Sequence, residues 1–426
     1  MTQENTKVRP YLDDVDADII ALYKTPEEIA RVKAVIDTAA IQTRTKEIKQ
    51  IRQPRKMKRF LARWAIRWKY GVFWKKKYYV FRLIRNYSLS FIYKLFGIKK
   101  IVFRGIEFGL TYRCNFQCHH CLCARIDETE ERKELEPGDY ERVVDEAMKL
   151  GALTFGLEGG EPFVHKGWEK IIQRMKPEYN HIIISSNGYL LDEKLVKKCA
   201  DFRVDTINLS LDSGIPELHD VFRRKKGSFV RVMRAIELCK KFKIRVILNT
   251  VVHKSNLYTD GLIKLLEFSE REKILVNILF AKGVGTFKDK DEMLSAEDFE
   301  AFFKIAAPYN YWHIHHMGEL KSSHGGEGCP GTKEFVNITP YGDVINCANN
   351  HIYLGNVQTE SFKDIRERSM RETPFGKYCP CFLVMDPDFM NVYYPLLEQN
   401  KWISLEKFQN AQKEYEQQKH SHTNGK

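Results

Sequence analysis

Three cysteines, Cys114, Cys118 and Cys121, stand in a C-x3-C-x2-C spacing within TYRCNFQCHHC. Thiolates are soft ligands that select zinc or iron–sulfur clusters. Three of them can wrap three corners of a [4Fe–4S] cubane and leave one iron open to an outside ligand. The same spacing also admits a zinc site completed by Cys123. A second set follows: Cys329, Gly342, Cys347, the run Leu354-Gly355-Asn356-Val357, then Cys379 and Cys381. Four thiols there can saturate one [4Fe–4S] cluster or hold one zinc. The chain starts MTQENTKVRPYLDDVDAD, without the basic-then-apolar pattern of a secretory signal, so a reducing cytoplasm is expected. Its other cysteines, Cys199 and Cys239, fall on predicted helices and read as buried thiols, and Cys123 reads as packing.

The elements that must position these groups are legible from residue 100 onward. Strand patterns near 103–111, 152–158, 181–186, 206–212, 244–252 and 273–280 alternate with helical patterns such as 137–150, 192–200, 228–242 and 260–271. Alternation of this kind means a parallel α/β fold, here a partial (β/α)6 TIM-like barrel, in which chemistry gathers on loops after the strands. The cysteine loop follows the first strand. Gly159-Gly160-Glu161-Pro162 follows the second, Ser186-Asn187-Gly188 the third, and Ser210 and Asp212 end the fourth.

Together these loops resemble the radical S-adenosylmethionine (radical SAM) superfamily across roughly residues 103–290. The resemblance implies a [4Fe–4S] cluster on Cys114, Cys118 and Cys121 that reductively cleaves S-adenosylmethionine, giving methionine and a 5′-deoxyadenosyl radical that abstracts a substrate hydrogen. By the same resemblance Gly159, Gly160 and Glu161 hold the methionine amino group and Ser186 and Asn187 form the ribose-side turn. Ser210, Asp212 and Asn249 are cofactor contacts, and Arg223, in HDVFRRKKGSF, pairs with the cofactor carboxylate. His120 stands where the family usually has an aromatic residue packed on adenine. The second cysteine set resembles SPASM and twitch auxiliary domains, which implies one fully ligated [4Fe–4S] cluster that accepts an electron from the substrate radical. An external low-potential donor such as flavodoxin or ferredoxin is implied as partner.

Charge separates the remaining region from the rest. The chain carries 69 Lys+Arg against 56 Asp+Glu, yet residues 51–100 hold 16 Lys/Arg, 13 aromatics and no acid. A protein that is basic throughout is thereby excluded. Phe60, Leu61, Trp64 and Trp68 form one helical stripe with Arg59, Arg63 and Arg67 beside it, and Val80, Ile84, Tyr87, Phe91 and Leu95 form a second. No run is long and apolar enough to span a bilayer. An interfacial helix on an anionic membrane suits residues 57–96, with an RNA-binding arm as the lesser alternative and packing on the barrel as the plain one. WHIHHM, with His313, His315 and His316, reads as a strand with one exposed face, and His324 follows it.

The expected organisation is a helical region over 1–100, the barrel over 101–310, a small Cys-rich auxiliary-cluster domain over 311–395, and a polar helix and tail over 396–426. The expected function is a cytoplasmic, membrane-surface oxidoreductase acting on a lipid-linked, sugar-like or peptide substrate. Peptide natural-product maturation and RNA modification are the alternatives.

Overall fold

A computed structural model describes residues 20–45, 76–98, 101–123, 132–287, 292–314, 329–376, 381–400 and 402–423. Its strands are β1 (Gly105–Thr111), β2 (Thr154–Gly159), β3 (His181–Ser186), β4 (Thr206–Ser210), β5 (Arg245–Val252) and β6 (Leu275–Phe280). They continue as β7 (Trp312–Ile314), β8 (Phe335–Ile338), β9 (Asp343–Ile345), β10 (Ile352–Asn356) and β11 (Ile403–Ser404). The chain divides into two compact units. One holds Met1–Lys75, Cys114–Ala124 and Ile184–His315, and the other Lys76–Arg113, Arg125–Ile183 and His316–Lys426.

In the first unit β4, β5, β6 and β7 run parallel, in that order. Their register aligns Ser210 with Asn249, Asn249 with Asn277, and Asn277 with His313, which makes a polar row across four strands. Ile207, Leu209 and Leu248 are fully buried on the opposite face, so alternation sets two surfaces, one apolar and one polar. Helix α1 (Pro26–Thr45) belongs here too. Val32 and Ile36, with Tyr23 just ahead of the helix, pack on Val221, and Lys226 Nζ bonds Glu28 at 2.7 Å.

In the second unit β1 lies between β2 and β8 and is parallel to both. Ile106, Phe108 and Leu110 are fully buried, while Glu107 points to the other face. From β8 the sheet continues through β9 and β10, antiparallel, to β11. The segment FVNITPYGDVINC is therefore a hairpin whose first strand is hydrogen-bonded to β1. Helix α2 (Lys77–Leu95) docks in this unit through polar groups. Arg82 donates to the carbonyls of Tyr179 (3.0 Å) and Ala152 (2.6 Å) and to Asn180 Oδ1 (2.5 Å), and Asn86 Nδ2 donates to Gly151 O. Burial, with Arg85 nearby, pulls the Arg82 guanidinium down to about 10, which still leaves it charged at neutral pH. Helix α3 (Pro137–Leu150) starts on a reciprocal Glu136/Asp139 cap with Pro137 behind it and stops at Gly151, φ 113°.

Helices α4 (Trp168–Arg174) and α5 (Pro216–Phe222), both seven residues long, escaped the sequence reading because each is too short to display a period. Among the described residues no helix is long and apolar enough to cross a membrane. The stripe from Phe60 to Trp68 lies outside the described residues, as do His315, His316, His324 and Cys379.

Removing Arg82 takes its donors away from three acceptors, Tyr179 O, Ala152 O and Asn180 Oδ1. Arg82→Ala should lower unfolding free energy by about 2–3 kcal/mol, read as a lower urea midpoint. An unchanged midpoint would show that the helix is not held through this residue.

Candidate active site

The thiol loop of the first unit is built from backbone clamps. Cys121 N donates to Cys118 O at 3.2 Å, and His119 N to Phe222 O at 3.1 Å. Thr286 closes the other side, its N donating to Cys121 O at 3.1 Å and its Oγ1 to His119 O at 2.6 Å. Gly285 makes that approach feasible, because at φ +60° a Cβ there would sit 2.2 Å from Cys121 O. At the opening of the loop, Asn187 Nδ2 donates to Asn115 Oδ1 at 2.8 Å, and Phe116 N to Cys114 Sγ at 3.4 Å. Ser186-Asn187-Gly188 is itself a tight turn, with Gly188 N on Ser186 Oγ and Tyr189 N on Asn187 Oδ1. Lys225 lies over the rings of Phe116 and Tyr189, at 5.9 and 5.2 Å.

Beneath the loop is a buried ion pair. Arg223 Nε donates to Asp212 Oδ2 at 2.6 Å, and its Nη1 faces Cys118 Sγ at 3.8 Å. Asp212 Oδ1 accepts from Val251 N at 3.0 Å, so the carboxylate is fixed from both sides. Burial alone would raise this carboxyl, but Arg223 beside it holds it below its ordinary value. Burial pushes the Cys118 thiol up to about 12, with Arg223 pulling the other way. A metal must then displace that proton on binding. His120 stacks flat on Phe222 (4.6 Å, 1°), which stacks on His253 (4.8 Å, 6°), and His253 Nδ1 lies 2.7 Å from Glu292 Oε2. His120 Nδ1 is buried with no hydrogen-bond partner among the described residues, and burial holds this imidazole neutral, down at about 3. Asn249 Oδ1 accepts from Asn277 Nδ2 at 2.9 Å, next in register to Ser210.

Among the described residues no three His, Cys, Asp or Glu side chains converge on a single metal ion. A cubane asks for something different, since each thiolate takes a different iron. A loop that presents Cys114 exposed, Cys121 half-buried and Cys118 buried beside a cation suits that demand.

In the second unit the GGEP turn closes on the end of β1. Gly160 N donates to Thr111 O at 2.7 Å and Glu161 N to Arg113 O at 3.0 Å. A Cβ on Gly159 would lie 2.3 Å from Thr111 O, and one on Gly160 2.2 Å from Arg113 O. Only glycine permits this approach. Glu161 is fully buried and accepts from Phe163 N at 3.3 Å. One residue before the turn is a group the motif did not flag. Asn337 Nδ2 donates to Glu158 Oε1 at 2.5 Å and to Glu107 Oε2 at 3.3 Å. Burial and then the neighbouring Glu107 push Glu158 up to about 8.

Of the second cysteine set, Cys329, Cys347 and Cys381 are each half-buried. The Gly-Asn segment is what fixes the hairpin that carries Cys347. Asn356 Nδ2 donates to Tyr341 O (2.9 Å) and Asp343 Oδ1 (2.8 Å), and Val357 N to Gly342 O (2.9 Å) across the turn. Gly342 turns at φ +89°. Cys199 and Cys239 are fully buried.

A family model of the radical SAM superfamily matches residues 109–265, and one for the SPASM iron–sulfur cluster-binding domain matches residues 329–381. The chain is a radical SAM enzyme with a C-terminal SPASM domain. Its cofactors are S-adenosylmethionine, the [4Fe–4S] cluster that binds it and an auxiliary cluster. The AdoMet-dependent heme synthase of Methanosarcina barkeri (strain Fusaro / DSM 804) is 26% identical over 292 residues, 62% of this chain and 82% of that protein. The antilisterial bacteriocin subtilosin biosynthesis protein AlbA of Bacillus subtilis (strain 168) is 25% identical over 308 residues, 65% of this chain and 66% of that protein. The crystal structure of Streptococcus suis SuiB bound to S-adenosylmethionine shares the fold, with a TM-score of 0.52 at 18% identity over 68% of this chain and 76% of that one. Enzymes of this class draw on a reductant such as flavodoxin or ferredoxin.

Two outcomes follow from these contacts. Gly285→Ala should drive Cys121 out of place, so that anaerobically reconstituted protein holds about four fewer irons; unchanged iron would show that the clamp does not matter. For Glu158, the folded carboxyl is raised from 4.5 to about 8, so stability falls as pH rises through that window, where the unfolded chain ionises first. Glu158→Gln should flatten this slope in thermal melts, and an unaltered slope would deny Glu158 the raised value.

Proposed function

We propose that Cys114, Cys118 and Cys121 hold the cluster that binds S-adenosylmethionine, and that Cys329, Cys347, Cys379 and Cys381 hold the auxiliary one. The observation that carries this reading is the placement of Cys118, buried beside the Arg223–Asp212 pair in a loop clamped at both ends. When bound, the cluster and S-adenosylmethionine supply a 5′-deoxyadenosyl radical for hydrogen abstraction. The chain's part is to orient and enclose them. Glu161, with the backbone of Gly159 and Gly160, is assigned the methionine amino group. Ser186 and Asn187 are assigned the ribose side, His120 the adenine side, and Ser210, Asp212, Arg223 and Asn249 the remaining contacts. Arg223 has a second task as a positioning residue, since its guanidinium is shared between Asp212 and the Cys118 sulfur.

The reaction proposed is an oxidation in which the auxiliary cluster takes up the electron left on the substrate radical. The substrate class is lipid-linked, sugar-like or peptide. Likeness to AlbA, a bacteriocin biosynthesis protein, favours a peptide and makes natural-product maturation the specific second reading. Peripheral attachment to an anionic membrane surface through residues 57–96 completes the proposal; of these, 57–75 lie outside the described residues.

The test compares two cysteine variants in the anaerobic holoenzyme. Cys118→Ala should abolish 5′-deoxyadenosine formation, whereas Cys347→Ala should still form it while losing substrate oxidation. Loss of 5′-deoxyadenosine in both variants alike, or full product formation by Cys347→Ala, would contradict the division of labour.

A further inference from the structure

Helix α2 is docked with its sides exchanged. A helix on a protein surface ordinarily buries its apolar stripe and wets its polar one. Here the buried line is Arg82, Asn86 and Ser90, only 8%, 6% and 5% exposed. The opposite side carries Phe81 at 70%, Ile84 at 61%, Phe91 at 67% and Leu95 at 66%, and the chain just beyond it adds Phe96 at 71%. A run of large apolar side chains this exposed marks an interaction surface. The helix has no freedom to roll and hide it, because the Arg82 and Asn86 bonds fix its rotation.

We infer that the outward face of α2, from Phe81 to Phe96, is the surface that enters an anionic lipid bilayer. The inference rests on the membrane reading above and gives it a definite face. Charge identifies the occupant: besides the buried Arg82, α2 carries Lys77, Arg85 and Lys94 with no acid, within a segment of 16 basic residues and none acidic. Apolar groups at the acyl boundary with Lys/Arg toward anionic headgroups is the arrangement of an interfacial helix. The exposed face mixes aliphatic Ile84, Ile92 and Leu95 with its aromatic rings along one continuous helical stripe, whereas base-stacking platforms rely on rings alone, which favours lipid over RNA. The helix is also not apolar enough to span, so it lies in the plane of the surface.

The docking partners add an orientation. Gly151, Ala152, Tyr179 and Asn180 immediately precede β2 and β3, so α2 sits at the N-terminal end of β2. The GGEP turn leaves the other end of that strand, six residues away, about 20 Å at 3.3 Å per residue.

The test is flotation of the full holoenzyme with vesicles of phosphatidylcholine alone and of phosphatidylcholine mixed with phosphatidylglycerol. Wild type should float with the mixed vesicles, and Phe81→Glu/Ile84→Glu/Phe91→Glu should lose at least about tenfold in affinity. Phe91→Ser alone should lose part of it, and retained iron and circular dichroism report that each variant is folded. Binding by the folded triple variant equal to wild type overturns the α2 face while leaving the membrane reading intact. Absence of wild-type binding overturns both. A wild-type dimer that the triple variant turns into a monomer, with vesicle binding unchanged, assigns the face to a second copy instead and also overturns the inference.

Discussion

The Arg223–Asp212 ion pair is the constraint on which the thiol loop depends. Both groups are buried, and a buried charge that loses its partner costs about 3–5 kcal/mol, so each must stay where the other needs it. Asp212 is held by Val251 N on β5, and Arg223 transmits that position to the Cys118 sulfur. The sheet thus dictates the height of the central cysteine through two side chains. A guanidinium beside a thiolate also favours the charged sulfur that metal binding requires.

Within each unit, close approaches of main chain are set by glycine rather than by side-chain chemistry. Gly285 admits the carbonyl of Cys121, Gly159 and Gly160 admit those of Thr111 and Arg113, and in each case a single added carbon would collide with main chain. In the auxiliary region the Asn356 side chain binds both Tyr341 O and Asp343, which fixes the turn before Cys347, and β8 gains support by pairing with β1.

Much of this was legible in sequence because it repeats at short range. The six strands at the residue level differ from expectation by only a residue or two at their ends, since alternation and flanking turns mark them. The C-x3-C-x2-C and GGEP motifs announced themselves by spacing. What escaped were contacts made across long separations in the chain. Nothing in the text pairs Thr286 with Cys121, or Asn187 with Asn115, and Asn337 lies 179 residues from the Glu158 it bonds. The stripe of Ile84, Tyr87, Phe91 and Leu95 was visible as a period, but a period cannot say which side faces the protein. Three internal acceptors bound by Arg82 decided that.

The central claim is that one cluster is open to S-adenosylmethionine and another is closed. Electron paramagnetic resonance of the anaerobically reduced protein, recorded with and without S-adenosylmethionine, tests it most directly. Two [4Fe–4S] signals are expected, of which one shifts in g value on adding the cofactor and disappears in Cys118→Ser, while the other is unaffected by either. A spectrum that S-adenosylmethionine leaves unchanged, or a protein that holds zinc in place of both clusters, would contradict it.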